Sequence, residues 1–505
     1  MLPSALILCG VGLRVLAIAV IPVASDASEY AVLGESILQG RGMWLPWGEF
    51  WQFDAWPAGP SHHYPPVYPI YLTPFLATLG FSTLAVQVGA LAAGLALLAV
   101  FYRATACLFG RGKAQWFVAL LALDPVLIVT TGTGYAENLV TLLFVLTIAA
   151  ILRSLDRPQW ILAAGLAAGL AYLTKSSVGP FFLVAGLAGF AWRFRFARWA
   201  VLRDRTYLGA IGIFGLLAGA WAARNLSLFW DGTMGGLMSA WQTSGYFSRA
   251  TAAAFAHPTE YLWILAVRFP FFTALFLLVA GPWWKELRSL PLLSDESSSA
   301  LGLAAGLTYV LAWLISGTLW VVERSPIFWA DVSRYVVIAN PVVWWMAAKR
   351  CDPDSPSFRR RFAVAASVLL MMNVAAFLTP QGGVFDAYRD LRTRAHKGDV
   401  VALQEVPKYE AAIHLAGTGV VLEPYRGGTD ADYVLTTNVT REYEGYRLVD
   451  TYGPNDTALL PGFHAALWER RSPKVNLTPS GYRDAQWFPC RSRTFRTGPT
   501  RCTTP

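Results

Sequence analysis

Apolar runs close to or at membrane-crossing length are strung along most of this chain, and they leave few folds open to it. They fall at residues 2–22, 82–102, 114–134, 136–153, 159–174, 177–192, 206–223, 260–282, 299–321, 333–347 and 362–378. A spanning helix needs about 20 such residues, so the chain reads as an all-α polytopic membrane protein with about eleven transmembrane helices. Only 14% of its 505 residues are charged and 55% are apolar, against about 25% charged in a soluble domain. That balance excludes a water-soluble enzyme, a nucleic-acid-binding domain and a disordered chain. The net charge of +9 therefore points to basic membrane-facing loops and not to a nucleic acid partner. Five cysteines are too few for a disulfide scaffold. The first run has no small-residue cleavage site and is expected to stay as an anchor.

The basic residues give the runs a direction. With the N-terminus in the cytoplasm, every second loop collects cations: Arg103, Arg111 and Lys113; Arg153 and Arg157; Arg193, Arg195, Arg198, Arg203 and Arg205; Lys285 and Arg288; and Lys349, Arg350, Arg359, Arg360 and Arg361. These are 17 residues in strict alternation, as the positive-inside rule requires. The first loop (26–81), the 224–259 loop and residues 379–505 then lie outside. The last of these segments changes character, with 16 Lys and Arg against 14 Asp and Glu. Short β-like runs at Tyr433–Thr437, Tyr446–Tyr452 and Phe463–Glu469 mark it as a small C-terminal α/β extracytoplasmic domain following a membrane domain of residues 1–378. Its Cys490 and Cys502 could pair.

Polar residues with chemistry gather at the expected outer ends of the runs. Asp26 opens an apolar pattern of Tyr30, Leu33, Ile37 and Leu38 that ends at Gly40-Arg41-Gly42, a short amphipathic helix on the membrane surface. Asp26 is either a reactive carboxylate or that helix's N-cap. Trp44, Trp47, Trp51 and Trp56 suit an interfacial belt or sugar stacking. His62 and His63 point in different directions in any regular structure, which disfavours a shared metal, and with Tyr64 they lead into a Pro-rich turn. Glu137 sits in a tight turn of a nearly uncharged hairpin, where a carboxylate needs a partner or a task. Lys175 occupies the matching turn one hairpin later. Arg224 with Asn225, and Arg334 with Tyr335, stand at two further outer ends. Lys175, Arg224 and Arg334 could gather an anion, or simply snorkel separately. Arg14 and Asp124 are the main charges near mid-depth; they could pair, or Asp124 could mark a break at Pro125.

These stretches resemble the polytopic GT-C glycosyltransferases, in the branch of the protein O-mannosyltransferases and the lipid A aminoarabinose transferase. Asp26-x-x-x-Tyr30 followed by Gly40-x-Gly42 resembles the start of their first outer loop. His63-Tyr64-Pro65-Pro66-Val67-Tyr68-Pro69 is similar to their His-Pro-Pro-Leu-Tyr-type motif, with an extra tyrosine. Tyr135-x-Glu137 resembles their acidic second-loop turn, and Gly169-Leu170-Ala171-Tyr172-Leu173-Thr174-Lys175 their Gly-Leu-x-x-Leu-Thr-Lys turn.

The resemblance covers about residues 1–350 and implies a GT-C-like catalytic domain in the cell membrane. It implies an inverting transferase acting outside the cytoplasm on a polyprenyl-phosphate sugar donor, with a lipid, glycan or protein acceptor. It assigns Asp26 and Glu137 to catalysis and Lys175, Arg224, Arg334 and Tyr335 to the donor phosphate. Glu29, Tyr30, Asp54, His62, His63 and Tyr64 are assigned to substrate. The family's paired first-loop acids are not matched here, because Ala27 follows Asp26; a partner acid must come from Glu29, Asp54 or Glu137. No cofactor is required, although these carboxylates could hold a divalent metal ion. The rival is a lipid-linked sugar flippase without transferase activity, which would need charged residues lining the bundle.

Overall fold

The computed structural model describes residues 2–46, 59–61, 64–154, 156–176, 203–229, 278–279, 337–338, 340–378, 383–404, 406, 408–425, 430–437, 439, 441–453 and 465–471. The runs at 177–192 and 299–321, nearly all of 260–282 and the start of 333–347 lie outside the described residues. So do Asp54, His62, His63, Arg334, Tyr335, Cys490 and Cys502.

Among the described residues, four helices are long and apolar enough to cross a membrane. They are α1 (Leu2–Val20), α4 (Thr83–Phe109), α9 (Arg205–Phe229) and α11 (Pro356–Leu378). Between them come α2 (Ser25–Leu38) and α3 (Val67–Leu79) in the first loop, then α5 (Arg111–Ala122), α6 (Pro125–Thr133), α7 (Glu137–Arg153) and α8 (Trp160–Tyr172). Helix α10 (Asn340–Arg350) precedes α11. A two-residue ribbon, β1 (Trp44–Leu45) with β2 (Gly59–Pro60), closes the first loop. The expected run at 114–134 is a pair, α5 and α6, bent by 53°.

That break explains both mid-depth charges. Asp124 accepts from the amides of Val126 (3.0 Å) and Leu127 (3.3 Å), capping α6 at its Pro125 start. Its other oxygen accepts from Asn340 Nδ2 at 2.7 Å. Upstream, the same break strips α5's last carbonyls of helical partners. Arg14 donates to the carbonyls of Leu121 and Ala122, and Asn373 Nδ2 donates to Leu123 O at 2.9 Å. Lipid offers no substitute for these bonds, so the buried polar side chains close the gap that the bend opens. Helix α1 can reach the break because Gly10 has no side chain: a Cβ would lie 2.8 Å from Ala122 Cβ.

At one end of the bundle several helix ends converge. Ala24 N donates to Thr133 O (3.2 Å), Gln87 Nε2 donates to Ile21 O and Gly132 O, and Val67 N donates to Leu173 O (2.9 Å). The first loop and the turns at 134–136 and 173–176 therefore share one end, as the charge alternation expects. At the other end, Lys113 Nζ donates to Lys349 O at 3.3 Å.

Helix α2 forms as its periodicity predicts but is not a one-sided surface helix. Ala27, Tyr30, Ala31, Val32 and Leu33 are all buried, because α3 packs on α2 and the chain's C-terminal region covers it as well. That region holds α12 (Val384–Arg394), β3 (Val400–Gln404), α13 (Lys408–His414), β4 (Val421–Pro424), β5 (Tyr433–Thr436), β6 (Tyr446–Tyr452) and β7 (Ala465–Arg470). The strands form one sheet in the order β4-β3-β5-β7-β6. Strands β4, β3 and β5 run parallel, and β7 and β6 join antiparallel. Strand alternation sends Val401, Leu403, Leu435 and Leu467 to the main core, with Tyr388, Leu391 and Ile413 of the helices, and Ala402, Val434, Ala466 and Trp468 to a second cluster.

Helix α13 ends at His414, whose Nε2 lies 2.9 Å from Val23 O and whose ring stacks on Tyr388 at 5.3 Å. Burial lowers the His414 pKa to about 4; the Val23 bond offsets part of this, and Arg392 and Arg389 lower it further. An unfolded histidine titrates near about 6.5, so below that pH the unfolded chain binds the extra proton first. The stability this neutral ring supports is whole above about pH 6.5 and is lost as pH falls towards 4. We expect the unfolding temperature of the wild-type protein to drop more between pH 7 and pH 4.5 than that of His414→Gln, which has no group to protonate. Parallel pH curves for the two would contradict this.

Candidate active site

The convergent helix ends bring four of the expected residues together. Asp26 lies in the first turn of α2, where a carboxylate is favoured by the helix dipole. It is not the cap: Ala24 holds that position, without a side-chain cap. Tyr64 Oη donates to Asp26 Oδ1 at 3.0 Å. Glu137 starts α7, delivered by the turn Gly134-Tyr135-Ala136; Gly134 sits at φ +77°, a left-handed conformation open to glycine. Lys175 Nζ donates to Glu137 Oε1 at 2.6 Å and stands 3.7 Å from Asp26 Oδ2. Side-chain exposure runs 1% for Glu137, 8% for Lys175 and 17% for Asp26, so Asp26 is the open member.

Aromatic residues wall this cluster. Tyr30, one turn along α2 from Asp26, packs against Tyr64 (4.5 Å) and Tyr68 (4.9 Å). Tyr68 Oη donates to Gly134 O at 2.7 Å, tying α3 to the turn that carries Glu137. Sequence reasoning gave Tyr68 no role, although it lies within the Pro-rich motif. Glu29 is fully buried beneath Asp26 on the same helix. The Tyr64 phenol is pushed well above its usual range, first by burial and then by the nearby Asp26 and Glu29 carboxylates. It holds its proton and serves as a donor to Asp26, never as a base.

Arg224 reaches the same loop. Its Nη1 donates to Ser61 O and Asn225 Oδ1, both at 2.8 Å, and its guanidinium lies 4.6 Å over Trp221. Arg224 and Asn225 were expected to open a loop; both lie inside α9, and Asn225 is buried. Trp44 stands partly exposed on β1. Among the described residues, no three or more His, Cys, Asp or Glu side chains are placed to hold a metal ion.

Comparison with known proteins falls on this region. Residues 63–221 match the family model described as dolichyl-phosphate-mannose-protein mannosyltransferase. The resemblance to GT-C glycosyltransferases read from the motifs is thus borne out, and the matched segment contains Tyr64, Glu137 and Lys175. Among solved structures, the chain is similar to ArnT from Cupriavidus metallidurans bound to undecaprenyl phosphate (14% identity, 92% of this chain and 97% of that one, TM-score 0.45). It is also similar to the Archaeoglobus fulgidus oligosaccharyltransferase in complex with zinc and sulfate (13% identity, 86% and 68% covered, TM-score 0.49). A further likeness is to AglB of the same organism with an inhibitory peptide and a dolichol-phosphate (11% identity, 86% and 69% covered, TM-score 0.43). No curated protein sequence matches the chain significantly.

The cluster's charge balance predicts what its removal does. With Lys175 gone, Glu137 is left buried without its ion pair, a change that costs about 3–5 kcal/mol. Lys175→Met should therefore lower the unfolding free energy in detergent by that order, whereas Lys175→Met combined with Glu137→Gln should recover part of it. A single mutant as stable as wild type would show that the pair contributes nothing.

Proposed function

We propose that the chain is a membrane glycosyltransferase that takes a sugar from a polyprenyl-phosphate carrier and passes it to a lipid, glycan or protein acceptor outside the cytoplasm. One observation carries this reading: Tyr64, Glu137 and Lys175 of the segment that matches a mannosyltransferase model meet Asp26, from before that segment, in an ionic cluster at a shared helix end, with the most exposed carboxylate beside a phenol donor. The description of the matched family, which names dolichyl-phosphate-mannose, supports a lipid-phosphate sugar as donor. The alternation of basic residues supports a cytoplasmic N-terminus, with the cluster and the C-terminal sheet outside.

The proposed step is an inverting displacement. Asp26 takes the acceptor hydroxyl's proton as its oxygen attacks the anomeric carbon. The bond from that carbon to the phosphate oxygen breaks, and the lipid phosphate departs with the electron pair. Tyr64 donates to Asp26 Oδ1, and Oδ2, which faces Lys175 at 3.7 Å, takes the proton. Lys175 has three N–H donors; Glu137 holds one at 2.6 Å. A phosphate oxygen can take another, where charge grows during bond breaking. Arg224, and Arg334 with Tyr335, complete the phosphate site in this reading. In the same reading Asp54, His62 and His63 bind substrate, whereas Glu29 is fully buried and does not reach it. The step balances without a metal ion.

Asp26→Asn tests the assignment, because asparagine keeps the shape and the hydrogen-bond acceptor but cannot take a proton. Purified in detergent with a synthetic polyprenyl-phosphate sugar and a solubilised envelope acceptor fraction, wild type should release lipid phosphate. The mutant should lose about 100-fold or more of that turnover at an unchanged melting temperature. Full turnover in a stable mutant removes Asp26 from catalysis. Sugar movement that occurs only across sealed vesicles, with no transfer in detergent, replaces the reading with a carrier. Orientation has a separate check: a reporter fused after Ser480 should be active only when exported.

A further inference from the structure

The link between α1 and α2 is four residues long, and it decides where Asp26 stands. It is held from two sides. On the membrane side, Ala24 N donates to Thr133 O, and Gln87 Nε2 donates to Ile21 O. On the other side, a side chain 391 positions later reaches Val23 O: His414 Nε2, at 2.9 Å. The ring is fixed for this contact. It stacks on Tyr388 with an interplanar angle of 10° and meets Phe385 edge-on at 5.7 Å. Arg392 Nη1 donates to the His414 carbonyl at 3.2 Å, tying the end of α13 to α12. Helix α13 packs along α2 itself, and its Lys408, Tyr409 and Glu410 are all buried.

We propose that the C-terminal sheet region is a working part of the outer-face site, with His414 as a positioning residue that fixes the start of α2 and through it Asp26. This rests on the transferase reading for its effect on turnover, but not for the contact itself. The physical reason is local. The carbonyl of Ala24 accepts from the amides of Ala27 and Ser28, which form the first turn of α2. A helix's first turn is its least self-supported part, since its amides lack helical partners. Asp26 lies in that turn and meets Tyr64 and Lys175, which come from other parts of the chain. A turn free to fray would move the carboxylate away from both. Anchoring the peptide of Val23 from the C-terminal side holds the turn in register. Only the Nε2–H tautomer, in which the ring donates, satisfies the Val23 carbonyl. Glutamine at position 414 can place an amide N–H at the same reach, and leucine cannot donate.

The test compares His414→Leu, His414→Gln and wild type, each as the full chain in detergent. Two readouts are taken: amide hydrogen exchange over residues 21–30, and the separate kcat and donor KM of transfer. We expect His414→Leu to speed exchange in 21–30 by about tenfold, the scale of one hydrogen bond, with exchange in the sheet changed less than threefold. Its kcat should fall about tenfold, with donor KM within twofold of wild type. His414→Gln should stay within threefold of wild type in both readouts. Wild-type exchange and wild-type kcat in His414→Leu would overturn the proposal. So would a loss that His414→Gln fails to rescue in either readout. If the wild-type protein transfers no sugar, the transferase reading falls on that result alone, and the exchange data alone then decide the positioning role.

Discussion

A buried lysine shared by two carboxylates organises the end of this molecule where the first loop meets the ends of α7 and α8. Placing Lys175, Glu137 and Asp26 away from water is costly unless each charge meets another. The pairing therefore dictates which turns must coincide. Lys175 follows α8, Glu137 starts α7 and Asp26 lies at the start of α2. Three chain segments that are far apart in sequence converge so that one cation can serve two anions. Tyr64 and Tyr68 reinforce the same convergence from α3 and the residues before it. Among the described residues the cluster sets two carboxylates against one ammonium and is most open at Asp26.

A second constraint acts deeper, at the bend between α5 and α6. A broken helix in lipid exposes amides on one side and carbonyls on the other, and neither can be left unpaired. Asp124 serves the amides, while Arg14 and Asn373 serve the carbonyls. The mid-depth charges that a transporter would use for its cargo are thereby committed to the backbone. The bend also delivers α6 to the end where Thr133 meets Ala24, so it contributes to the site from a distance.

Much of this was legible in the chain. Charge alternation placed the first loop and the turns of Glu137 and Lys175 on one side, and the structure puts them at one end. The Asp124–Pro125 dipeptide marked the break. Strands at 433–436, 446–452 and 465–470 coincide closely with the runs read from β-type residues and turn signals. What escaped was whatever depends on distant packing. The apolar stretch Val67–Leu79 carries prolines and was read only as the tail of a loop, yet it folds as α3 because α2 covers it. Helix α2 reads as amphipathic, and nothing local announces that α13 buries its second side. Strands β3 and β4 went unnoticed for the same reason: each is short, and its partners lie elsewhere in the chain. The pairing of Lys175 with Glu137 could not be chosen over an anion cluster of Lys175, Arg224 and Arg334, since like and unlike partners are set by geometry. His414 carries no sequence signal at all.

The central claim is that Lys175 and Glu137 act as one unit holding the Asp26 site together. A double-mutant cycle measures this directly: unfolding free energies of wild type, Glu137→Gln, Lys175→Met and the double mutant, under one detergent condition. The account predicts a coupling energy of about 1.5 kcal/mol or more, in the upper range for residues in direct contact. Single-mutant losses that add within about 0.5 kcal/mol, the behaviour of independent sites, would contradict it.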